Sequence, residues 1–279
     1  MDMSRRTVLA SGSALALAAG LPTAAFAFPA WEARSGMSGT DYQAKFDQMA
    51  AQGFRLLAVD GYTVSGSTNF AAIWMKRPGP AWVARHNMTA GQYQQAFDTF
   101  TAQGYRPVWI TSYFGPGGQL FAAIFDKSGG ADWQARHAMT QAAFQQTFDQ
   151  LTAQGYRLTC TTVCGLVTNG YSGLFEKSGS AFMSYAAMTP GDYQQKFDAL
   201  GAQGYRLRQV KGYSTIVGPR FAAIWDKSGG PAWEAHHNLT TAQFQQTFDS
   251  LTSNGFWLSD VTGYDNGGQT NYAGIFQKA

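Results

Sequence analysis

Four histidines and two cysteines are the side chains of this 279-residue sequence best suited to metal binding or proton transfer. All four histidines, His86, His137, His236 and His237, fall in one recurring segment, Trp-x-Ala-Arg-His-x-Met in its fullest form. Imidazoles from several copies, brought to a common space, could share a zinc with each nitrogen about 2.0–2.1 Å from the metal, or could hold an anionic group. With Arg85 and Arg136 beside them, these histidines are the candidate ligand-binding residues. Packing is the stronger reading. The same slot holds Ser35 and Ala186 in other copies, and a histidine between tryptophan and methionine suits a half-buried position. No metal, cofactor or catalytic residue is therefore assigned. Cys160 and Cys164 fall on one expected strand, where a rise of about 3.3 Å per residue puts their Cα atoms roughly 13 Å apart, beyond disulfide reach. Buried thiols are expected there, since one C-x₃-C without a second pair is a weak metal signal.

The elements that would carry these residues repeat five times. Gly53, Gly104, Gly155, Gly204 and Gly255 recur at steps of 51, 51, 49 and 51 residues, which marks a tandem array. Each unit opens with a strand. Simple alternation puts Trp82, Ala84, His86 and Met88 on one face, with Val83, Arg85 and Asn87 on the other. A helix follows, capped by Ser38, Thr89, Thr140, Thr189 or Thr240 and closed by the recurring glycine. Its apolar stripe runs Tyr93, Phe97, Phe100 at i, i+4, i+7. A hairpin completes the unit, as in Tyr205 to Tyr213, a Gly-rich turn such as Gly115-Pro116-Gly117-Gly118, and Phe-Ala-Ala-Ile-Trp. The expected fold class is an α/β repeat protein of five β-α-β-β units, approximately 28–78, 79–130, 131–179, 180–229 and 230–279, with the helices on one side of the sheets. A unit of this size is marginal alone, so packed units are expected. Neither end carries a polar capping unit, so a closed five-unit toroid is expected, with an open curved array as the alternative. The pattern is most degenerate at Phe182-Met183-Ser184-Tyr185-Ala186-Ala187-Met188, which stands in place of the histidine segment at the start of the 180–229 unit.

Other charged residues recur too. Asp47, Asp98, Asp149, Asp198 and Asp249 follow the helix phenylalanine, and Arg55, Arg106, Arg157 and Arg206 follow the aromatic after the glycine. Five catalytic carboxylates in one chain would be odd, so a repeated Asp–Arg pair or a helix-to-strand hydrogen bond is expected, with Trp257 replacing the arginine in the last unit. Lys76, Lys127, Lys177, Lys227 and Lys278 end the last strand, where they would blunt a sheet edge.

Residues 1–27 read as an export signal. Arg5-Arg6 precede the apolar run Val8–Leu21, and Ala25-Phe26-Ala27 offers a cleavage point before Phe28, a pattern similar to a bacterial twin-arginine signal. A periplasmic or secreted protein is expected, with no membrane span in the mature chain. Without Asp2, Arg5 and Arg6 the 20 basic and 17 acidic residues become 18 and 16. So small and scattered an excess excludes a nucleic-acid partner.

Sequence motifs for hydrolysis or phosphate binding are missing: no G-x-S-x-G, H-E-x-x-H, phosphate loop or Ser-x-x-Lys occurs. The linked segments Trp-x-Ala-Arg-His-x-Met-Thr, Phe-Asp-x-Leu-x-Ala-Gln-Gly-Tyr-Arg and Phe-Ala-Ala-Ile-Trp-x-Lys, spanning residues 28–279, resemble the bacterial tandem repeat that precedes the serine hydrolase domain of polyglycine hydrolase-like proteins. The resemblance implies that hydrolysis belongs to that second domain, so no catalytic residue carries over. The expected function is an exported non-catalytic module that binds a protein, peptide or glycan. Recognition would fall to hairpin tips such as 63–69 and 214–220. A peptide or cell-wall hydrolase is the alternative.

Overall fold

The computed structural model describes residues 28–115, 117–165 and 170–279; the expected export signal lies outside them. The first unit comprises β1 (Trp31–Met37), α1 (Gly39–Ala51), β2 (Arg55–Val64) and β3 (Ser67–Met75), and the second β4 (Trp82–Met88), α2 (Ala90–Ala102), β5 (Arg106–Gly115) and β6 (Gly118–Asp126). The third is built from β7 (Trp133–Met139), α3 (Gln141–Ala153), β8 (Tyr156–Cys164) and β9 (Gly170–Lys177), and the fourth from β10 (Phe182–Met188), α4 (Pro190–Ala202), β11 (Arg206–Thr215) and β12 (Gly218–Asp226). β13 (Trp233–Thr240), α5 (Thr241–Ser253), β14 (Phe256–Asn266) and β15 (Gln269–Lys278) complete the fifth.

Each helix begins where a hydroxyl can satisfy an orphan backbone N–H. Ser38, Thr89, Thr140, Thr189 and Thr240 all accept from the amide three residues on. Each ends before a glycine at φ between +75° and +82°, a conformation that costs glycine nothing.

Among the described residues five separate three-stranded antiparallel sheets result, and none continues into the next. In each, the unit's last strand lies in the middle. The recurring lysines therefore blunt no edge. Each instead lies over the aromatic that follows its own unit's helix, from Lys76 over Phe54 to Lys278 over Phe256, with nitrogens 4.7–5.9 Å from the ring centroids, a cation–π contact.

A bulge corrects the simple alternation of the first strand. Between Arg85 and Met88 the register with β6 shifts by one residue, and Asn87 adopts φ +54°. The extra residue turns Met88 over. Val83 and Met88 pack with Tyr93, Phe97 and Phe100 of their own helix, whereas Trp82 and Ala84 join Tyr42 and Met49 of the unit before. Both sheet faces are thus buried, one on the unit's own helix and one on the preceding helix. The expectation of helices on one side holds within a unit only.

This second contact recurs with little change. Trp82 packs on Phe46 at 5.7 Å, Trp133 on Phe97 at 5.9 Å, Phe182 on Phe148 at 5.8 Å and Trp233 on Phe197 at 5.6 Å. Trp31 of the first unit packs on Phe248 of the fifth at 5.8 Å.

The charged pairs differ from expectation. Every recurring helix aspartate accepts from the glutamine one turn earlier, Gln43 to Asp47 through Gln245 to Asp249, at 2.7–2.8 Å. One helical turn places those two side chains together, so no arginine is needed. The arginines reach forward to the next unit: Arg55 to Asp126 at 3.9 Å, Arg106 to Glu176, and Arg157 to Asp226 at 3.1 Å. Trp257 in the arginine slot follows the same logic. Met75 stands where the second, third and fourth units carry the acid, and Trp257 packs into the apolar cluster that holds Met75 and Trp31.

Candidate ligand-binding cavity

The histidines lie in separate seams. His86 meets Tyr42 and Phe70 edge-on, His137 meets Tyr93 and Phe121, and His237 meets Tyr193 and Phe221, with centroids 4.7–5.7 Å apart. His236 sits 3.3 Å from Glu234. Arg85 and Arg136 donate to the carbonyls of Ala84 and Ala135, and Arg85 covers Phe100 at 5.3 Å. Among the described residues no group of three or more His, Cys, Asp or Glu is placed to hold a metal ion.

Burial holds His86, His137 and His237 below the usual histidine pKa. The folded state therefore disfavours their charged forms. Their contribution to stability is present above the unfolded value of 6.5 and is lost as pH falls through and below it. Melting at pH 7.5 and pH 5.0 checks this: the His86→Gln/His137→Gln/His237→Gln variant should lose fewer degrees on acidification than the parent. Equal losses would contradict it.

The polar centre of the molecule comes from residues that share a repeat position but not a type. Asp60, Thr111, Thr162, Lys211 and Thr262 occupy equivalent places on β2, β5, β8, β11 and β14, and all are buried. Asp60 accepts from Thr111 at 2.8 Å, from Thr262 at 2.9 Å, from the Gly263 amide at 3.0 Å and from the Lys211 ammonium. Lys211 also donates to the Gly61 carbonyl and to Thr111 Oγ1, both at 3.3 Å. One bond type links several seams. The Ser112 amide donates to Thr162 at 2.9 Å, the Gly212 amide to Thr262 at 3.1 Å, and the Gly263 amide to Asp60.

Two residues earlier, Asp260 accepts from the Val210 and Val261 amides, both at 2.9 Å. Burial nonetheless pushes its carboxyl up to about 7. Cys160 and Cys164 are free and buried, and burial pushes both thiols up to about 12. They stay protonated near neutrality and are inert as nucleophiles.

Beyond this centre, towards the hairpin tips, opens a cavity of about 570 Å³. Every unit lends it a segment: Gly61–Thr63, Ser112–Phe114, Val163–Gly165, Lys211–Ile216 and Gly263–Asp265. None of the four histidines lines it. Phe114 and Ile216 stand at 43% and 74% exposure, and Val217 beside them at 69%. The expected recognition segments 63–69 and 214–220 contribute Thr63, Ser65, Gly66, Ser214, Thr215, Ile216 and Gly218 to the lining.

Sequence reasoning passed over the cavity floor. Its available signal was the dipeptide Gly-Tyr at Gly61-Tyr62, Gly212-Tyr213 and Gly263-Tyr264. Each glycine admits a tyrosine from the next segment: a Cβ on Gly61 would lie 2.2 Å from Tyr113, on Gly212 2.3 Å from Tyr264, and on Gly263 2.5 Å from Tyr62.

Five copies of one β-α-β-β unit, each burying its sheet on its own helix and on a neighbour's, make this an α/β tandem-repeat protein. A family model described as polyglycine hydrolase-like, structural repeat, matches residues 28–77, 79–128, 130–178, 179–228 and 230–279, and the chain belongs to that family.

Proposed function

We propose that the five units close into a toroid, and that the protein is an exported, non-catalytic module holding a ligand or partner in the cavity among its hairpin tips. Three kinds of contact support closure. Trp31 meets the fifth helix as each later unit meets the helix before it. The Gly263 amide bonds to Asp60 as the Gly212 amide bonds to Thr262. Tyr62 covers Gly263 as Tyr113 covers Gly61.

The observation that carries the binding reading is the cavity itself, walled by all five units and bordered by exposed Phe114, Ile216 and Val217. Its size suits a small-molecule or side-chain guest. Burial keeps the Cys164 thiol of its wall protonated, and none of the four histidines lines it. Incubation with a bacterial envelope fraction, purified peptidoglycan and glycine-rich peptides tests the reading. Retention without turnover is expected, and Phe114→Asp/Ile216→Asp/Val217→Asp should weaken it roughly tenfold or more (~1.4 kcal/mol) at unchanged melting temperature. Turnover abolished by one substitution would establish a hydrolase instead. Retention indifferent to the rim would move the site elsewhere.

Export is part of the proposal. It is supported by Arg5-Arg6 ahead of an apolar run and by a family match that begins at residue 28. Among the described residues no helix is long and apolar enough to cross a membrane. The mature chain should begin near Phe28, and Arg5→Lys/Arg6→Lys should hold the precursor inside the cell. Uncleaved cytoplasmic parent protein would overturn this part.

A further inference from the structure

We infer that the cavity takes an uncharged, apolar small molecule, and that its subsite lies where the third unit carries Cys164 in place of a tyrosine. The inference rests on the binding-module reading and deepens it. Four units place Tyr62, Tyr113, Tyr213 and Tyr264 at one equivalent position, and all four line the cavity. Three of these side chains hold a first-strand bulge: Tyr62, Tyr113 and Tyr264 accept from the amides of Gly36, Asn87 and Asn238 at 2.9–3.1 Å. The third unit keeps its bulge without the phenol. Ala138, at φ +52°, donates instead to Ser172 at 3.3 Å, and Ser172 stands where the other units have alanine. Cys164 is thereby released from the tyrosine's structural task.

Its neighbour changes in step. Where tyrosine covers glycine in three of the other seams, and Val163 in the fourth, Cys164 has Ser112, and both line the cavity. The pair Ser112 and Cys164 therefore removes one aromatic ring from the cavity wall.

Charge selects the class of guest. Among the described residues Lys211 and Asp265 are the charged ones of the lining; the first is ion-paired and the second is held by amide hydrogen bonds. The ammonium is held by Asp60, Thr111 and the Gly61 carbonyl, and the Asp265 carboxylate accepts from the Ser65 and Gly268 amides at 3.0 and 2.7 Å. The floor amides of Ser112, Gly212 and Gly263 are also spent internally. A charged guest beside Cys164 would shed water where the nearby charges, Lys211 and Asp60, are already paired with each other, a loss that an uncharged apolar guest does not incur. Exposed Phe114 and Ile216 continue the apolar surface out to the mouth.

The test uses the mature chain and the neutral fluorophore Nile red, with decan-1-ol, decanoate and decylammonium as competitors. Saturable binding of one dye per chain is expected, displaced by the alcohol and by neither ion. Ser112→Gly/Cys164→Tyr installs the glycine–tyrosine pair of three other seams and refills the wall, and should weaken dye binding at least tenfold while the protein stays folded. Phe114→Asp/Ile216→Asp, at exposed positions, should weaken it as well and serves if the first variant fails to fold. No saturable binding, equal displacement by the ions, or undiminished binding in a folded variant would each overturn the inference. Rim-dependent envelope retention without dye binding would sink this inference alone, and dye binding without such retention would sink the module reading alone.

Discussion

Replacing Lys211 with methionine is expected to lower the free energy of unfolding by about 3–5 kcal/mol, the usual cost of leaving one partner of a buried ion pair alone. Lys211 and Asp60 are 5% and 3% exposed, so water cannot take the missing partner's place. Asp60 would keep the Thr111, Thr262 and Gly263 donors, which offset only part of the loss. The double variant Asp60→Asn/Lys211→Met should recover a substantial share, because it leaves no unpaired charge. Urea denaturation of the two single variants and the double reads the coupling directly. A loss below about 1 kcal/mol for Lys211→Met would mean that the pair behaves like a surface ion pair. The pair also joins β11 of the fourth unit to β2 of the first, units that are not sequence neighbours.

The second large effect is steric. Gly263→Ala should destabilise by about 1–3 kcal/mol, the range for overpacking a closed interior, because its Cβ would stand 2.5 Å from the Tyr62 ring. Tyr62 cannot swing aside freely, since its hydroxyl bonds to the Gly36 amide and, at 2.8 Å, to the Tyr272 hydroxyl. Gly61→Ala, which meets Tyr113 between the first and second units, is the internal reference. A closed array requires the two substitutions to cost alike. If Gly263→Ala leaves the denaturation midpoint unchanged while Gly61→Ala lowers it, the fifth and first units do not pack in solution.

The sequence made local features legible because their causes are local. A hydroxyl at Thr89, a stripe at Tyr93, Phe97 and Phe100, and a glycine at Gly104 lie within sixteen residues and fix one helix. The first-strand bulge was not legible, since its left-handed residue is Asn87, Ala138, Ala187 or Asn238 rather than glycine in four units, and a tyrosine or serine from another strand holds it in at least four of the five. The arginine partners were hidden for a similar reason: Arg106 and Glu176 are 70 residues apart and belong to different units, while the nearer Asp98 is taken by Gln94. The polar centre eluded repeat comparison because Asp60, Thr111, Thr162, Lys211 and Thr262 form a set only when the five units face one another. The histidines drew attention by type, yet the shared position of His86, His137 and His237 reflects a shared packing task against a tyrosine and a phenylalanine.

The proposed closure of the five units would underlie both the shared polar centre and the cavity, and inter-helix distances test it most directly. Spin labels at Asp47→Cys and Asp98→Cys span the first and second helices, and labels at Asp47→Cys and Asp249→Cys span the first and fifth. All three sites are exposed, and the native thiols are buried and escape labelling. Double electron–electron resonance should give the same distance distribution for both pairs, because in a toroid the fifth unit neighbours the first as the second does. A first-to-fifth distance well beyond the first-to-second one would contradict closure and leave an open curved array.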